Sequence, residues 1–130
     1  MKKISTLLAI SVLTMFAFPA FAGQPAEVWH CEMADDASED DVLNGVGDWL
    51  DAAKKVPGGE SFEIHVMFPA VVNFEGDTDV WILLLADSFE AWGKFWDHYP
   101  DSDVGDIEDA NATAFVCPDN LLFEAMEPDD

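Results

Sequence analysis

Residues 80–86, with the sequence VWILLLA, constrain the fold more than any other segment of this chain. Successive side chains of a β-strand point to opposite faces of a sheet, so a strand here is apolar on both faces. The segment is far too short to span a membrane, which takes about 20 apolar residues. A strand of this kind is typical of a central position in a sheet that is covered on both sides. The rest of the chain must therefore supply flanking strands, and each face of the sheet needs a cover.

Apolar periodicity on either side of this segment predicts two helices and further strands. Ser38 and Asp41 have the spacing of a capping box, which begins a helix that Pro57 ends. Asp87 and Glu90 have the same spacing around Ser88. The predicted elements in the first half are a strand at 28–33, a helix from 38 to 56, a strand at 62–68 and a turn at 73–79. They are followed by the strand at 80–86, a helix at 89–99 with an aromatic stripe, an acidic loop at 101–110 with room for one helical turn, a strand at 113–117 that Pro118 breaks, and a short strand at 121–126.

The order of these elements is βαββαβ, which predicts a ferredoxin-like α+β fold with an antiparallel four-stranded sheet and two helices on one face. In this arrangement the fourth strand pairs with the first. Cys31 lies in the first strand and Cys117 in the fourth, so the topology brings the two cysteines together. We therefore predict a disulfide between Cys31 and Cys117.

Residues 1–22 have the pattern of a secretory signal peptide. Lys2 and Lys3 precede an apolar run at 7–18, and Ala20 and Ala22 are the small residues of a cleavage site. Cleavage leaves a single domain at 23–130 in the periplasm or outside the cell, with no attachment to the membrane. That oxidising compartment permits the disulfide.

The predicted mature domain is extremely acidic. Three lysines stand against 27 acidic residues after residue 22, which gives residues 23–130 a formal charge of −24. Such a chain is repelled by nucleic acid and by anionic membranes, so we expect neither as a partner. The acidic residues are spread along the chain, which is typical of a solvated coat; a surface for cations or a cationic partner is the alternative.

The face of the 80–86 strand that the helices leave uncovered needs another cover. A second copy of the chain, packed sheet to sheet, is the simplest, and we predict a homodimer. An apolar ligand is the alternative.

Two sets of residues suggest metal ligands. The outer face of the sheet is predicted to carry two pairs of polar residues, His30 with Glu32 and Glu63 with His65. Two histidines with carboxylates suit a transition metal. The alternative is that these four are ordinary polar residues of strands and bind no metal. Asp101, Asp103 and Asp106 suggest weak calcium binding, although the loop departs from the EF-hand pattern. We expect no other cofactor. Motifs for serine nucleophiles, phosphate loops and zinc proteases are missing from the sequence.

Several local features resemble small exported bacterial proteins of unknown function. They are Cys31 in the first strand, Phe68-Pro69, Asp79-Val80-Trp81, residues 89–94 and Val116-Cys117. More distantly, the layout resembles the dimeric α+β barrel superfamily, which implies small monooxygenases, haem-degrading enzymes or binding proteins. The first strand lacks the Asn that haem degradation implies. The resemblance to the superfamily suggests a pocket at Trp81, Trp92 and His98, in which His98 acts as a base or as a haem ligand. Stabilisation of the helix C-terminus by His98 is the alternative.

These observations favour a non-enzymatic, exported homodimer that binds a small apolar or cationic ligand or a partner protein. A small monooxygenase of the dimeric α+β barrel type is the first alternative. A calcium-dependent surface or adhesion protein is the second.

Overall fold

The computed structural model of the protein describes residues 23–70 and 79–127. The predicted signal peptide and most of the predicted turn at 73–79 lie outside these residues. In chain order the elements are β1 (Gln24–Met33), α1 (Glu39–Ala53), β2 (Glu63–Met67), β3 (Asp79–Leu85), α2 (Phe89–His98), a 3₁₀ turn (Tyr99–Asp101), α3 (Val104–Asn111) and β4 (Phe115–Ala125).

The four strands form one sheet in the order β2-β3-β1-β4. All neighbouring strands run antiparallel. This arrangement interleaves two split βαβ units, so the predicted ferredoxin-like α+β fold is confirmed. The doubly apolar segment forms most of β3 and lies between β2 and β1, in the central position that its pattern predicts.

The sheet has two chemically different faces. Val80, Ile82 and Leu84 of β3 are buried under the helices. The register places Cys31, Trp29 and Glu27 of β1 beside them, and we call this side the helix face. The alternate residues form the side that we call the outer face. Its main members are Val28, His30, Glu32, Glu63, His65, Met67, Trp81, Leu83, Leu85, Asp119, Leu121 and Phe123.

Helix α1 begins as predicted. Ser38 is its N-cap, and the capping box with Asp41 is complete. The Asp41 Oδ2 atom accepts hydrogen bonds from the Ser38 N–H at 2.8 Å and from its hydroxyl at 2.6 Å. These bonds hold the pKa of the exposed Asp41 carboxyl below its usual range. The helix packs Val42, Val46, Trp49 and Ala53 on the core.

Two glycines allow α1 and its C-terminal turn to approach other helices. Gly58 has a φ of +98°, and a Cβ there would lie 2.3 Å from the Ala91 carbonyl oxygen in α2. Only glycine fits both the left-handed backbone and that contact. At Gly45, a Cβ would lie 2.6 Å from Asn111 Oδ1, and the Asn111 Nδ2 donates to the Gly45 carbonyl at 2.9 Å. This bond ties α3 to α1.

Helix α2 carries the aromatic part of the core, but its cap differs from the prediction. Ser88 itself is the N-cap, and its hydroxyl accepts from the Ala91 N–H at 3.1 Å. The predicted capping pair of Asp87 and Glu90 therefore begins one residue before the observed N-cap. Phe95 is fully buried, and its ring centroid lies 4.8 Å from that of Phe62 and 5.8 Å from that of Trp49.

The predicted acidic loop at 101–110 is largely a helix, α3. The sheet is therefore covered by three helices and a 3₁₀ turn rather than by two helices. The element was not predicted because its apolar side is very short. Val104 is buried and Ile107 packs at the edge of the core, while half of the other residues of the helix are Asp or Glu.

The two predicted strands at 113–117 and 121–126 are one continuous strand, β4. Pro118 lies within it, which the prediction treated as a break. The pairing with β1 shifts between His30↔Asp119 and Glu32↔Val116, so Cys117 and Pro118 together oppose Cys31. Since a bulge on an edge strand leaves a residue unpaired, it accommodates a proline that cannot donate to the ladder.

The disulfide between Cys31 and Cys117 is present. Cys31 is fully buried on the helix face, whereas Cys117 lies on the exposed edge strand. The bond closes 86 residues of chain and fastens the edge strand β4 to the central strand β1.

Candidate ligand cavity between the helices and the sheet

A cavity of about 540 Å³ lies between the helix face of the sheet and the helices. Its volume is in the range of about 300–1,000 Å³ typical of small-molecule sites. The residues that line it come from all four strands and from every helix. They are Trp29, Val46, Trp49, Ile64, Ile82, Trp96, Tyr99, Glu108, Asp109, Asn111, Ala112, Phe115, Val116, Cys117, Pro118 and Asn120.

The inner wall of the cavity is apolar and aromatic. Trp49, Ile82 and Phe115 are buried, and Trp29 meets Trp49 edge-on with ring centroids 6.0 Å apart. Large aromatic rings of this kind bind flat apolar molecules through area and ring contacts. The inner wall therefore favours a small aromatic or aliphatic ligand.

The mouth of the cavity is acidic. Glu108, Asp109 and Asn120 are exposed lining residues, and no lysine or arginine is among the lining residues that the structure describes. Two carboxylates without a nearby cation repel an anionic ligand and attract a cationic one.

Tyr99 joins the mouth to the aromatic wall. Its hydroxyl donates to Glu108 Oε2 at 2.5 Å. Burial, together with this bond and the charge of Glu108, raises the pKa of Tyr99 well above its ordinary value. Tyr99 is therefore a neutral donor throughout the physiological range, and its bond holds the α3 carboxylate beside the cavity.

Two tryptophans one turn apart on α2 differ in their hydrogen bonding. The Trp92 Nε1–H donates to Glu27 Oε2 at 2.9 Å. The Trp96 Nε1 atom is buried and has no hydrogen-bond partner among the described residues. Trp96 lines the cavity and Trp92 does not. Buried polar groups are normally paired, so this unpaired donor is unusual.

Glu27 is the one buried charged residue of the described chain, with 3% of its surface exposed. Besides the Trp92 bond, its Oε1 accepts from Asn120 Nδ2 at 2.8 Å. Both donors are neutral groups. Because a carboxylate only accepts, the bond fixes the Asn120 amide with its Nδ2 toward Glu27. Glu27 thus links β1, α2 and the cavity-lining part of β4.

The residues predicted for a pocket are not gathered around this cavity. Trp81 lies on the outer face, on the opposite side of the sheet from the helices, and stacks on His30 with ring centroids 4.5 Å apart. Trp92 is engaged with Glu27. His98 is exposed, and its Nδ1 donates to the Lys94 carbonyl at 2.8 Å. Lys94 lies one turn earlier on the same helix, so His98 is bonded within α2 and away from the cavity.

The residues predicted to bind a transition metal share the outer face, and they form two pairs on either side of the central strand, as the prediction had them. His30 pairs with Trp81, and His65 pairs with Leu83, so β3 lies between the two histidines. Asp101, Asp103 and Asp106 follow one another through the 3₁₀ turn and the start of α3. Within residues 23–70 and 79–127, no group of three or more His, Cys, Asp or Glu is placed to hold a metal ion. Metal binding stays a prediction.

The outer face is the second candidate surface. Met67, Leu121 and Phe123 are 42%, 57% and 50% exposed. They lie on both edges of the sheet, on either side of half-buried Leu83 and Val28. Exposed apolar side chains that lie together on one face of a sheet are typical of an interaction surface.

Sequence reasoning missed most of the cavity. Trp29, Trp49 and Trp96 were predicted as strand or core residues, and Glu27 and Asn120 received no role. One signal for Glu27 was present, because alternation places residue 27 on the same face as Trp29 and Cys31. No such signal exists for Asn120, whose position depends on the course of β4 after the bulge.

No helix within the described residues is long and apolar enough to cross a membrane. The disulfide between Cys31 and Cys117 is compatible with a periplasmic or secreted protein.

Comparison with known proteins identifies the fold of this chain but does not assign it to a family. The chain matches no protein-family model, and no curated protein matches it in sequence.

Several solved structures are similar to this chain. SnoaB, a cofactor-independent oxygenase from Streptomyces nogalater, has a TM-score of 0.54 at 9% identity, over 82% of this chain and 97% of that one. The de novo designed protein Foldit4 has a TM-score of 0.42 at 13% identity, over 81% and 98%. A dimeric ferredoxin-like protein of unknown function from Thermobifida fusca has a TM-score of 0.39 at 16% identity, over 78% and 89%. At these identities, the likeness to the Streptomyces protein shows a shared ferredoxin-like α+β fold and nothing of activity or assembly.

Proposed function

We propose that this protein is an exported, homodimeric binding protein that holds a small ligand in the cavity between the helices and the sheet. The observation that carries the proposal is the cavity itself, with its volume of about 540 Å³, its aromatic inner wall and its acidic mouth. The described lining residues include no histidine, serine or lysine, and the two carboxylates, Glu108 and Asp109, lie at the exposed mouth and not on the aromatic wall. A binding role is therefore the function that the geometry supports best.

The cavity supports an apolar ligand that is neutral or cationic. The inner wall offers several aromatic rings, and the carboxylates of Glu108 and Asp109 oppose negative charge at the mouth. A carboxylate or phosphate ligand would need a cation that the lining does not supply.

Blocking the mouth tests the binding role. Ala112 lines the cavity, whereas Ala110, two residues earlier, is exposed and does not. We expect Ala112→Trp to weaken the binding of naphthalene and quinoline, measured by equilibrium dialysis, at least tenfold. Ala110→Trp is the matched control and should bind as the parent chain does. Equal binding by both variants would contradict the cavity as the binding site.

The homodimer is supported by the outer face. A second copy packed face to face would cover Leu83, Leu121 and Phe123 on both chains, because a two-fold axis repeats the same patch. The high negative charge opposes this contact, so we expect it to strengthen as salt screens the repulsion.

Sedimentation velocity tests the dimer. Leu121→Asp places a charge in the outer face and should give a monomer. Leu43→Asp is the matched control, because Leu43 is 46% exposed on α1, on the other side of the sheet. It should leave the sedimentation coefficient unchanged. A monomeric parent chain in 0.5 M salt would end the dimer proposal.

Export is tested by N-terminal sequencing of the chain recovered outside the cytoplasm, where we expect Gly23 as the first residue.

The monooxygenase alternative depended on His98 beside a pocket, and His98 does not line this cavity. It is therefore ranked below the binding role.

A further inference from the structure

We infer that the ligand of the cavity is a protonated amine with an aromatic body, and that the carboxylates of Glu108 and Asp109 bind its ammonium group at the mouth. The inference deepens the proposed binding function and rests on it. Of the neutral and cationic ligands that the lining admits, it selects cations that carry N–H groups.

The two carboxylates lie where a ligand can reach them. Glu108 and Asp109 both line the cavity, and both are exposed at its mouth. The Tyr99 hydroxyl donates to one oxygen of Glu108, Oε2. A carboxylate has about four lone-pair sites on its two oxygens. Glu108 can therefore keep its bond to Tyr99 and still accept from a ligand.

The polar side chains next to these carboxylates already donate to the protein. Besides the Tyr99 bond, Asn111 Nδ2 donates to a backbone carbonyl of α1 at 2.9 Å, and Asn120 Nδ2 donates to the buried carboxylate of β1 at 2.8 Å. Each amide keeps one further N–H, whereas each carboxylate keeps several acceptor sites. Acceptors therefore outnumber donors at the mouth, and a complementary ligand brings its own donors.

Tyr99 also shows the sign of the electric field at the mouth. Burial is the largest cause that raises its pKa, and the charges of both Glu108 and Asp109 raise it further. Both carboxylates thus act on one point at the edge of the cavity, where they disfavour a phenolate. The same potential favours a cation. None of the three lysines after residue 22 lines the cavity, so no lysine competes there for the carboxylates.

The shape of the site separates the charge of the ligand from its body. An ammonium group at the exposed mouth stays in contact with water, so it avoids the large cost of a buried charge. The body then extends toward the inner wall, where Trp29, Trp49 and Phe115 favour an aromatic ring. A molecule with an amine at one end and a ring at the other matches both parts.

A matched series of indoles tests the inference by equilibrium dialysis at about pH 7, where an alkylamine is protonated. Tryptamine carries an ammonium group, tryptophol carries a neutral hydroxyl in the same position, and indole-3-acetate is an anion. We expect tryptamine to bind about threefold to tenfold more tightly than tryptophol, because hydrogen bonds to charged groups are the stronger ones. N,N,N-trimethyltryptammonium has the charge without the N–H donors and should bind less tightly than tryptamine.

Two variants locate the ammonium group. Glu108→Gln removes a charge but keeps an oxygen that can accept from Tyr99, and Asp109→Asn is the second test if the first variant fails to fold. Each should weaken tryptamine about twofold to fivefold, the range of an exposed ion pair, and leave tryptophol unchanged. Asp106→Asn is the matched control, because Asp106 is exposed on the same helix and does not line the cavity. It should leave the binding of both probes unchanged.

The outcomes separate this inference from the proposed function. Binding of tryptophol or indole-3-acetate as tight as that of tryptamine overturns the inference and leaves the binding role standing. Equal losses in Asp106→Asn and Glu108→Gln also overturn it, because they assign the preference to the overall charge of the chain. Equally tight binding of the trimethyl probe contradicts the requirement for N–H donors. If the parent chain binds none of these indoles and neither naphthalene nor quinoline, the proposed function fails as well.

Discussion

Removing the disulfide should cost this domain a large part of its stability. The bond closes 86 residues, and the chain-entropy relation for a loop of that length gives about 4.6 kcal/mol at 25 °C. A domain of this size has an unfolding entropy of about 0.2 kcal/mol/K, so the same loss lowers the melting temperature by about 20 °C. We expect Cys117→Ser to show this change, since residue 117 is exposed and tolerates a hydroxyl.

Cys31→Ser removes the same bond but should cost more. Cys31 is fully buried, so its replacement also places a hydroxyl in the core, which adds about 1–3 kcal/mol if the hydroxyl is unpaired. Urea unfolding followed by tryptophan fluorescence measures both variants, with the reduced parent chain as the control. The reduced chain should match Cys117→Ser. A difference under 1 kcal/mol between oxidised and reduced chains would refute the loop argument, and equal costs for the two variants would refute the burial argument.

Three further predictions follow from other parts of the chain. Gly58→Ala should destabilise the protein by at least about 1 kcal/mol in urea unfolding, because of the φ of +98° and the contact with α2. Gly47→Ala should be neutral or stabilising, since a Cβ there meets no atom within 4 Å; the opposite order would contradict the Gly58 contact. Tyr99 is the single tyrosine of the chain, so absorbance at 295 nm follows its ionisation alone. Because its folded pKa is raised above the ordinary 10.0, its contribution to stability should be full below about pH 10 and fall as the pH rises above that value. A native midpoint near 10 would show that Tyr99 is not buried against Glu108. Calcium and magnesium at equal ionic strength should change the melting temperature equally, and a shift specific to calcium would favour the adhesion hypothesis and a site at Asp101, Asp103 and Asp106.

The periodic parts of the sequence predicted the fold well. The capping box at Ser38 and the doubly apolar run at 80–86 are local signals, and the structure confirms the helix and the central strand that they predict. The disulfide followed from topology, because the fourth strand of this fold lies beside the first. These features are short-range or follow from the order of elements, so one sequence suffices to read them.

The cavity was much harder to predict. It depends on α3, whose apolar side is only Val104 and Ile107, and on the course of β4 through the bulge at Pro118. Both are set by tertiary contacts: α3 is held by the Asn111 bond to Gly45, and β4 by β1. Periodicity describes which side of an element is apolar, and it does not describe how far two elements stand apart. Periodicity therefore cannot predict the size of the space between the helices and the sheet.

Strand β4 also has a consequence for how the protein behaves in acid. It is an edge strand of the sheet, and its consecutive residues Leu121, Leu122 and Phe123 are all exposed. An apolar edge with free backbone groups is a template for addition of a strand from another chain. Mutual repulsion between highly charged chains keeps such edges apart, and this repulsion vanishes near the isoelectric point of about 4.1. The acidic coat thus protects the edge strand, and acidification toward pH 4 should expose the chain to aggregation through β4.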